Sequence, residues 1–305
     1  MDALSDILKL IRLKSSVYFR KDFASPWGME MGKSPFAQFH LVVRGHCYLH
    51  TDDMKDPMDL YAGDIVVFPN GIAHWLADNP ESKKIPGIKV VEAHKNNELL
   101  FEGEKPGTTL ICGHFEFDKD FEHPFLQSLP ELIHITDTER RQLSWLETAT
   151  NVIMQEADSD EPGSEVVVNR LAEVLFIQIL RVYIVQSKIN SGYLAALKDK
   201  HIHNALSLIH HDPQNSWTLE SIARTIGMSR SAFAARFKQL TGNTPMNYLA
   251  NWRMNIAKEI IKDQHLSLFE VAEKVGYSSE ASFNRAFKKQ FRLNPGAMRR
   301  ALQSS

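Results

Sequence analysis

The hydrophobic positions of this chain follow two patterns, one typical of strands and one typical of helices. Residues 36–117 contain short β-branched or aromatic runs separated by Gly and Pro, and such runs predict strands. The runs are FAQFHLVVRG, CYLHT, DIVVFP, IKVVEAHK and TTLICGHFEF. Because short strands separated by turns pack as antiparallel barrels or sandwiches, we predict such a fold for this half of the chain.

Helical patterns flank the strand-rich region. The amino terminus, MDALSDILKLIRLKSS, predicts a short amphipathic helix. From about residue 138 to 187 the pattern predicts two helices joined by the acidic turn DSDEPGSE. The second of these helices, VVVNRLAEVLFIQILRVYIV, is apolar on most faces and therefore needs a surface to cover it. Packing against the barrel and pairing with a second chain would both provide one.

From residue 201 onward the pattern is almost entirely helical and contains an internal repeat. IARTIGMS at 222–229 matches VAEKVGYS at 271–278 with an offset of 49 residues. Later matches, such as Phe233 with Phe283 and Pro245 with Pro295, have an offset of 50, so the second copy holds one extra residue in its turn. Two copies are too few for a solenoid, and we interpret the repeat as a duplicated unit.

Each copy has the residues that a helix-turn-helix requires. A small residue lets two helices cross closely, a glycine caps the first helix, a serine opens the second, and two phenylalanines four residues apart predict a buried stripe. In the two copies these residues are Ala223 and Ala272, Gly227 and Gly276, Ser229 and Ser278, Phe233 with Phe237, and Phe283 with Phe287. The opposite face of each second helix is left free to meet a partner.

A single helix is predicted between the two units. The stretch TPMNYLANWRMNIAKEIIKD places Pro245 in the first turn and has apolar residues at intervals of three and four. About 18 helical residues span roughly 27 Å, which is near the roughly 34 Å between successive major-groove faces of B-DNA. One chain could therefore read two adjacent turns on one face of a duplex.

Charge is distributed unevenly, although the net formal charge is only −2. Residues 201–305 contain 14 Lys and Arg against 7 Asp and Glu, a net charge of +7, whereas the first 200 residues carry a net charge of −9. A basic third joined to an acidic body is typical of a polyanion-binding domain attached to another domain. No apolar run reaches the length of a membrane span, so we expect a cytoplasmic protein with no membrane partner.

Residues from about 201 to 302 resemble the DNA-binding domain of the AraC/XylS family of bacterial transcription regulators. The resemblance is carried by WTLESIARTIGMSRSAFAARFKQLTGNTPMNYLANWRMNIAKEII and by LSLFEVAEKVGYSSEASFNRAFKKQFRLNPGAMR. It implies seven helices with two recognition helices, Ser229–Leu240 and Ser279–Gln290. For the whole chain we expect a homodimer that is not an enzyme and whose partners are double-stranded DNA, RNA polymerase and a small-molecule effector.

The resemblance, taken residue by residue, predicts the DNA contacts. They are Arg230, Ser231 and Lys238 in the first unit and Ser279, Glu280, Asn284, Arg285 and Lys288 in the second. The side chains of Asn284 and Arg285 can make bidentate contacts with adenine and guanine edges, whereas Lys288 is expected to hold phosphate.

The first unit departs from the family pattern. Where many relatives have a polar residue and an arginine, this chain has Ala234 and Ala235. Alanine can touch a thymine methyl group but donates no hydrogen bond, so we expect the first unit to discriminate bases less sharply. Arg236 is then expected to serve structure rather than base recognition.

The stretch GDIVVFPNGIAH, residues 63–74, resembles the second motif of the cupin family of β-barrels, some of which are metal enzymes and others ligand sensors. The first cupin motif is broken here, because Val42 follows two residues after His40 and no glutamate stands at the expected distance. A metal site of His40, His74 and His114 would suit zinc or nickel. Hydrogen-bonded histidines without a metal are the alternative. The glycines and Pro69 of the stretch also have a purely structural explanation as turn residues.

These observations together predict an α+β protein that regulates transcription. We expect a cupin-like effector-binding domain at 1–135, a helical linker and dimerisation region at 136–195 and an AraC-type DNA-binding domain at 196–305. The sequence leaves two other functions open. Cys47 and Cys112 could form a redox switch in place of a ligand, although buried structural thiols are the simpler interpretation. A cupin metalloenzyme with a nucleic-acid-binding tail is the other.

Overall fold

The computed structural model describes residues 3–101, 103, 105–118, 123–141, 144–157, 159, 161–186, 191–263 and 265–303. The strands are β1 Lys14–Ala24, β2 Gly28–Met31, β3 Ala37–Arg44, β4 His46–Thr51, β5 Met58–Tyr61, β6 Ile65–Phe68, β7 His74–Ala77, β8 Ile85–Pro86, β9 Pro106–Glu116 and β10 Ile133–Ile135. The helices are α1 Ala3–Leu10, α2 Gly87–Lys95, α3 Pro124–Gln127, α4 Asp137–Arg141, α5 Ser144–Glu156, α6 Ser164–Gln186, α7 Gly192–Lys198, α8 Lys200–His211, α9 Leu219–Thr225, α10 Arg230–Thr241, α11 Pro245–Ile260, α12 Leu268–Lys274, α13 Glu280–Phe291 and α14 Pro295–Gln303.

Two compact units make up the chain. The first, called here the barrel unit, consists of Leu13–Phe117 and Leu129–Ser187. It contains two five-stranded sheets, in the orders β1-β9-β3-β6-β10 and β5-β4-β7-β2-β8. Its core is lined by residues from both sheets, among them Val42, Leu49, Phe68, Leu76 and Leu110, all with no exposed surface. The predicted β-rich fold of this half is confirmed.

Four of the five predicted strands are present as β3, β4, β6 and β9, but the prediction for IKVVEAHK was wrong. These residues form helix α2. Gly87, Val90, Val91 and Ala93 are buried in it while Lys89 and Glu92 are exposed. That spacing is helical, so the β-branched pair of valines packs on one helix face instead of alternating between two sheet faces.

The stretch GDIVVFPNGIAH makes two turns around a buried strand. Gly63 and Gly71 have φ values of +97° and +57°, a conformation that favours glycine. At Gly71 an added Cβ would overlap the carbonyl oxygen of Ser34. The buried Asp64 carboxylate accepts hydrogen bonds from the backbone N–H groups of Tyr61 and Asp137. The glycines of this motif are therefore explained by the turns that they form, as the structural interpretation expects.

The long apolar helix α6 lies against the barrel. It packs on β1 and α5, and the centroid of its Phe176 ring lies 4.6 Å from that of Phe115, with the two rings tilted. One face remains open, because Val174 and Val185 keep 44% and 76% of their surface exposed. Of the two surfaces that could cover this helix, the barrel covers its buried face. The barrel does not cover the exposed face.

The second compact unit, called here the helical unit, is built from Met1–Arg12, Asp118–Ser128 and Lys188–Ser305. Residues 201–303 contribute seven helices within the described part, α8 to α14, in agreement with the expected number. The short α1, predicted as an amphipathic helix, buries Ala3 and Ile7 and contacts α8 and α11. Residues 1–12 and 118–128 adjoin barrel strands in the sequence, but they belong to the helical unit. Across the described ranges, none of the helices has the length and apolar character needed to cross a membrane.

Candidate nucleic-acid interface and sensor site

The duplicated unit of the sequence folds as two helix-turn-helix motifs. Gly227 and Gly276 end the first helix of each with φ values of +73° and +82°. The residue after each glycine donates a backbone hydrogen bond to Ala223 or Ala272, both at 2.9 Å. Because the second turn is one residue longer, its recognition helix is capped by Ser279 and not by Ser278.

Each recognition helix is anchored by its two phenylalanines. Phe233 and Phe237 of α10 are fully buried with ring centroids 5.6 Å apart, and Phe283 and Phe287 of α13 are buried at the same 5.6 Å separation. This anchoring confirms the predicted stripe. It also fixes which face of α10 and of α13 points away from the core.

The outward face of α13 carries most of the predicted contacts. Glu280, Arg285 and Lys288 are exposed, and Ser279 is exposed while capping the helix. Neither Arg285 nor Lys288 has an ion-pair or hydrogen-bond partner among the described residues, so both cations are available to a ligand. Asn284 is only partly exposed, and its Oδ1 atom is buried with no hydrogen-bond partner in the described structure. Two further exposed cations near the end of this helix, Lys289 and Arg292, were not among the predicted contacts.

The outward face of α10 is less polar. The predicted contacts Arg230, Ser231 and Lys238 are exposed, and Ala235 is exposed between them. Arg236 Nε donates to the carboxylate of Asp199 at 3.0 Å, and that carboxylate also caps α8. This contact supports a structural role for Arg236.

Helix α11 is hydrogen-bonded to α13 of the second motif and to the loop that precedes the first motif. Arg253 donates to the backbone oxygens of Pro213 and Asn215, in the loop between α8 and α9, at 2.7 and 2.8 Å. On the other side, Gln290 Nε2 of α13 donates to Asn255 Oδ1 at 3.1 Å. The 16 residues of α11 span about 24 Å. The helix therefore sets the separation of the two recognition helices.

A chain of hydrogen bonds crosses the interior of the barrel unit. His40 on β3 lies opposite Cys112 on β9 in the strand register, and their Nδ1 and Sγ atoms are 3.0 Å apart. His40 Nε2 lies 2.8 Å from Nε2 of His74, which belongs to the other sheet. His74 Nδ1 lies 2.9 Å from the carbonyl oxygen of Ile72.

The protonation of this chain follows from its surroundings. Burial lowers the pKa of His74 to about 4, and burial together with the neighbouring His74 lowers the pKa of His40 well below its ordinary value, so both rings are neutral at pH 7. The carbonyl of Ile72 accepts, so the hydrogen of His74 is on Nδ1 and its Nε2 is an acceptor. His40 therefore donates from Nε2, and its Nδ1 accepts the Cys112 thiol hydrogen.

The three histidines predicted to hold a metal are not brought together. His40 and His74 meet, but His114 Nε2 lies 2.9 Å from a carboxylate oxygen of Glu116 instead. The third residue hydrogen-bonded to this pair is Cys112, through Nδ1 of His40. Within the described ranges, no group of three His, Cys, Asp or Glu residues has an arrangement that could hold a metal ion. Sequence reasoning missed the His40–Cys112 contact because it depends on the register of two strands far apart in the chain.

Both cysteines are free thiols in the same core cluster. Burial raises the pKa of Cys47 to about 12 and the pKa of Cys112 well above its ordinary value. Both are therefore protonated thiols at neutral pH, and a protonated thiol is a weak nucleophile.

A cleft in the barrel unit reaches the hydrogen-bonded chain. It has a volume of about 350 Å³ and is lined by residues that include Glu30, His50, Asp52, His74 and Trp75. A second cleft of about 340 Å³ shares part of this lining, including Glu30, and extends to Tyr18. His74 is thus both a wall residue of the cleft and a member of the interior chain. An aromatic side chain such as Trp75, together with a few polar groups, is a common lining for a small-molecule site.

Comparison with known proteins agrees with this architecture. Residues 2–185 match the family model described as Cupin, and residues 222–301 match the model described as Helix-turn-helix domain. The HTH-type transcriptional regulator AlkR of Acinetobacter baylyi is 32% identical over 300 residues, covering 97% of this chain and 98% of that protein. An AraC-like transcription regulator of Streptomyces lividans is 31% identical over 303 residues, covering 98% of each.

A solved structure, the DNA-binding domain of AdpA in complex with a target DNA, is 27% identical and covers 35% of this chain and 95% of that chain, with a TM-score of 0.33. Because this TM-score is low, the family assignment does not depend on this structure and rests on the full-length relatives. The chain belongs to the AraC-like transcriptional regulators that join an amino-terminal cupin domain to a carboxy-terminal helix-turn-helix domain, and it is a DNA-binding regulator of transcription.

Proposed function

We propose that a small ligand bound in the cleft of the barrel unit controls the DNA binding of this regulator. The observation that carries the proposal is the position of His74, which lines the cleft and is hydrogen-bonded to His40 in the interior. A ligand that contacts this wall would alter a buried chain whose last member, Cys112, lies on β9. Control requires only that the ligand have different affinity for the DNA-competent and DNA-incompetent arrangements.

The cleft can be tested without knowledge of the ligand. Genome-wide mapping of bound sites would give a target promoter for a reporter, and growth conditions that change its output would be found with the unmodified protein. Trp75→Ala is expected to abolish the response while leaving DNA affinity unchanged. Tyr61→Ala is the control, because Tyr61 is exposed on β5 and does not line either cleft. A full response from Trp75→Ala would overturn the assignment of the cleft.

The proposed regulator is a homodimer that contacts RNA polymerase at its promoters. The open face of α6, with Val166, Val167, Val174 and Val185 exposed, supports an interface with a second copy. Dimerisation would raise the effective concentration of the second subunit at a paired DNA site. Val174→Lys is expected to shift the sedimentation coefficient of the full chain to that of a monomer. A dimer that persists in this variant and in Val167→Lys would contradict the interface.

A further inference from the structure

A buried polar hub lies at the centre of the helical unit, around the hydroxyl group of Tyr248 on α11. Tyr248 Oη has three polar neighbours, His123 Nε2 at 2.9 Å, Tyr193 Oη at 2.7 Å and His210 Nε2 at 2.7 Å. All four side chains are buried. The ring of Tyr248 also packs edge to face with Phe237 of α10 at 5.5 Å. The hub therefore joins α11 to the core of the first helix-turn-helix motif.

The hydrogen positions in the hub are determined by two residues outside that motif. His123 Nδ1 accepts from the backbone N–H of Phe125, so its Nε2 carries a hydrogen and donates to Tyr248. The Asp6 carboxylate lies 3.7 Å from His210 Nδ1 and favours a hydrogen on that nitrogen, which leaves His210 Nε2 as an acceptor. Tyr248 then donates to His210 and accepts from His123 and Tyr193, which satisfies its hydroxyl completely.

These two residues come from separate stretches that the chain inserts into the helical unit. Asp6 lies on α1, and His123 caps α3. Each stretch also contacts the carboxy-terminal part of α11, because Arg12 forms an ion pair with Glu259, and Lys258 Nζ donates to the Asp118 carboxylate at 3.2 Å. The backbone of Asp118 also donates to the carbonyl oxygen of Ile11 at 2.8 Å. Stretch 118–128 thus contacts α11 near both ends, through His123 and Asp118, whereas stretch 1–12 contacts its far end through Arg12 and its beginning by way of His210 on α8.

Both stretches continue directly into paired strands of the barrel unit. Lys14, the first residue of β1, is two residues after Arg12, and Glu116, the last residue of β9, is two residues before Asp118. Lys14 and Glu116 are partners in the strand register. The two stretches that contact α11 are therefore joined in sequence to one strand pair.

We propose that Asp6 and His123 are positioning residues for DNA binding, which hold α11 against the first helix-turn-helix motif and so fix the spacing of the two recognition helices. This inference rests on the DNA-binding function of the chain. It makes the DNA-reading unit a composite of three stretches, in which residues 1–12 and 118–128 help to position the recognition helices.

The test is the discrimination of half-site spacing by the full chain. A duplex selected from random sequences by the unmodified protein is compared with the same duplex carrying one inserted base pair between its half-sites. The unmodified protein is expected to bind the native spacing on the order of tenfold more tightly, the usual cost of one misplaced base contact. Asp6→Asn and His123→Ala are expected to reduce this ratio to less than about threefold on the same scale.

Two further variants separate positioning from general destabilisation. His123→Gln keeps a donor for Tyr248 and is expected to restore most of the spacing ratio, whereas Gln127→Ala, an exposed residue of the same stretch, should leave it unchanged. If His123→Ala does not fold, Asp6→Asn and His123→Gln carry the test. An unchanged ratio in Asp6→Asn and His123→Ala, with only a uniform loss of affinity, would overturn the inference. Failure of the unmodified protein to select any sequence would instead overturn the DNA-binding function itself.

Discussion

His40 and His74 meet Nε2 to Nε2 at 2.8 Å between the two sheets of the barrel unit, and one of them must donate to the other. Because His74 Nδ1 is committed to the carbonyl of Ile72, the donor is His40. The contact therefore requires a neutral His74 ring, since protonation of His74 at Nε2 would place two hydrogens between the nitrogens. The His40–His74 contact is therefore expected to form at pH values at which His74 is uncharged.

This arrangement predicts an unusually acidic titration of His74. Burial lowers its pKa to about 4, so the Cε1–H resonance of His74 in NMR spectra is expected to move with a midpoint near that value. The unfolded chain binds this proton below about pH 6.5, so the contribution of His74 to stability is complete above that pH. It is lost as pH falls toward 4, by roughly 3 kcal/mol for a shift of this size. A midpoint near 6.5 would contradict the buried neutral pair.

Arg285 is expected to read a base. Its side chain is exposed on α13 and has no polar partner among the described residues. Arg285→Ala should cost about 1–3 kcal/mol of specific binding and relax the preference at one base position. Binding of the variant to duplexes with each of the four bases at that position would measure this. An equal loss on all sequences would show that Arg285 contacts phosphate.

Lys288, one helical turn further along the same face, is expected to contact phosphate. Lys288→Ala should weaken binding to all sequences to a similar degree and reduce the slope of log affinity against log salt by about one. Fluorescence anisotropy at several salt concentrations gives both quantities. A change of base preference with an unaltered salt slope would reverse the roles assigned to Arg285 and Lys288.

The buried cysteines predict that mild oxidants do not control DNA binding. A peroxide would have to convert one thiol to a sulfenic acid with release of water, and the other thiol would then form the disulfide with release of a second water. Burial keeps both thiols protonated, which disfavours the first step. Treatment with hydrogen peroxide is expected to leave DNA affinity unchanged. A peroxide-dependent loss of affinity that disappears in both Cys47→Ser and Cys112→Ser would establish the redox alternative.

The helix-turn-helix motifs were predictable from sequence because their signals are local. Gly227 and Gly276 each mark a left-handed position, and the extra residue of the second turn is visible as the change of offset before Phe283. Helix α2 was misjudged because two adjacent valines favour a strand locally, while their packing on one face of a helix is a property of the tertiary structure.

Two features of the site depend on contacts between distant parts of the chain, and no local pattern indicates them. The pairing of His40 with Cys112 requires the register of β3 against β9. The approach of Asp6 and His123 to the Tyr248 hub requires stretches 1–12 and 118–128 to leave the strands around them and join the carboxy-terminal helices. Hydrophobic periodicity can predict whether such a short stretch is a helix or a strand. It does not predict which part of the chain the stretch packs against.

We expect α10 and α13, separated by α11, to enter successive major grooves on one face of a duplex. Hydroxyl-radical footprinting of the full chain on a selected site, at low salt, tests it directly. Two protected patches on the same face, with centres about one helical turn or 10 base pairs apart, are expected for each subunit. A single protected patch for each subunit, or no protection of any selected duplex, would contradict this expectation.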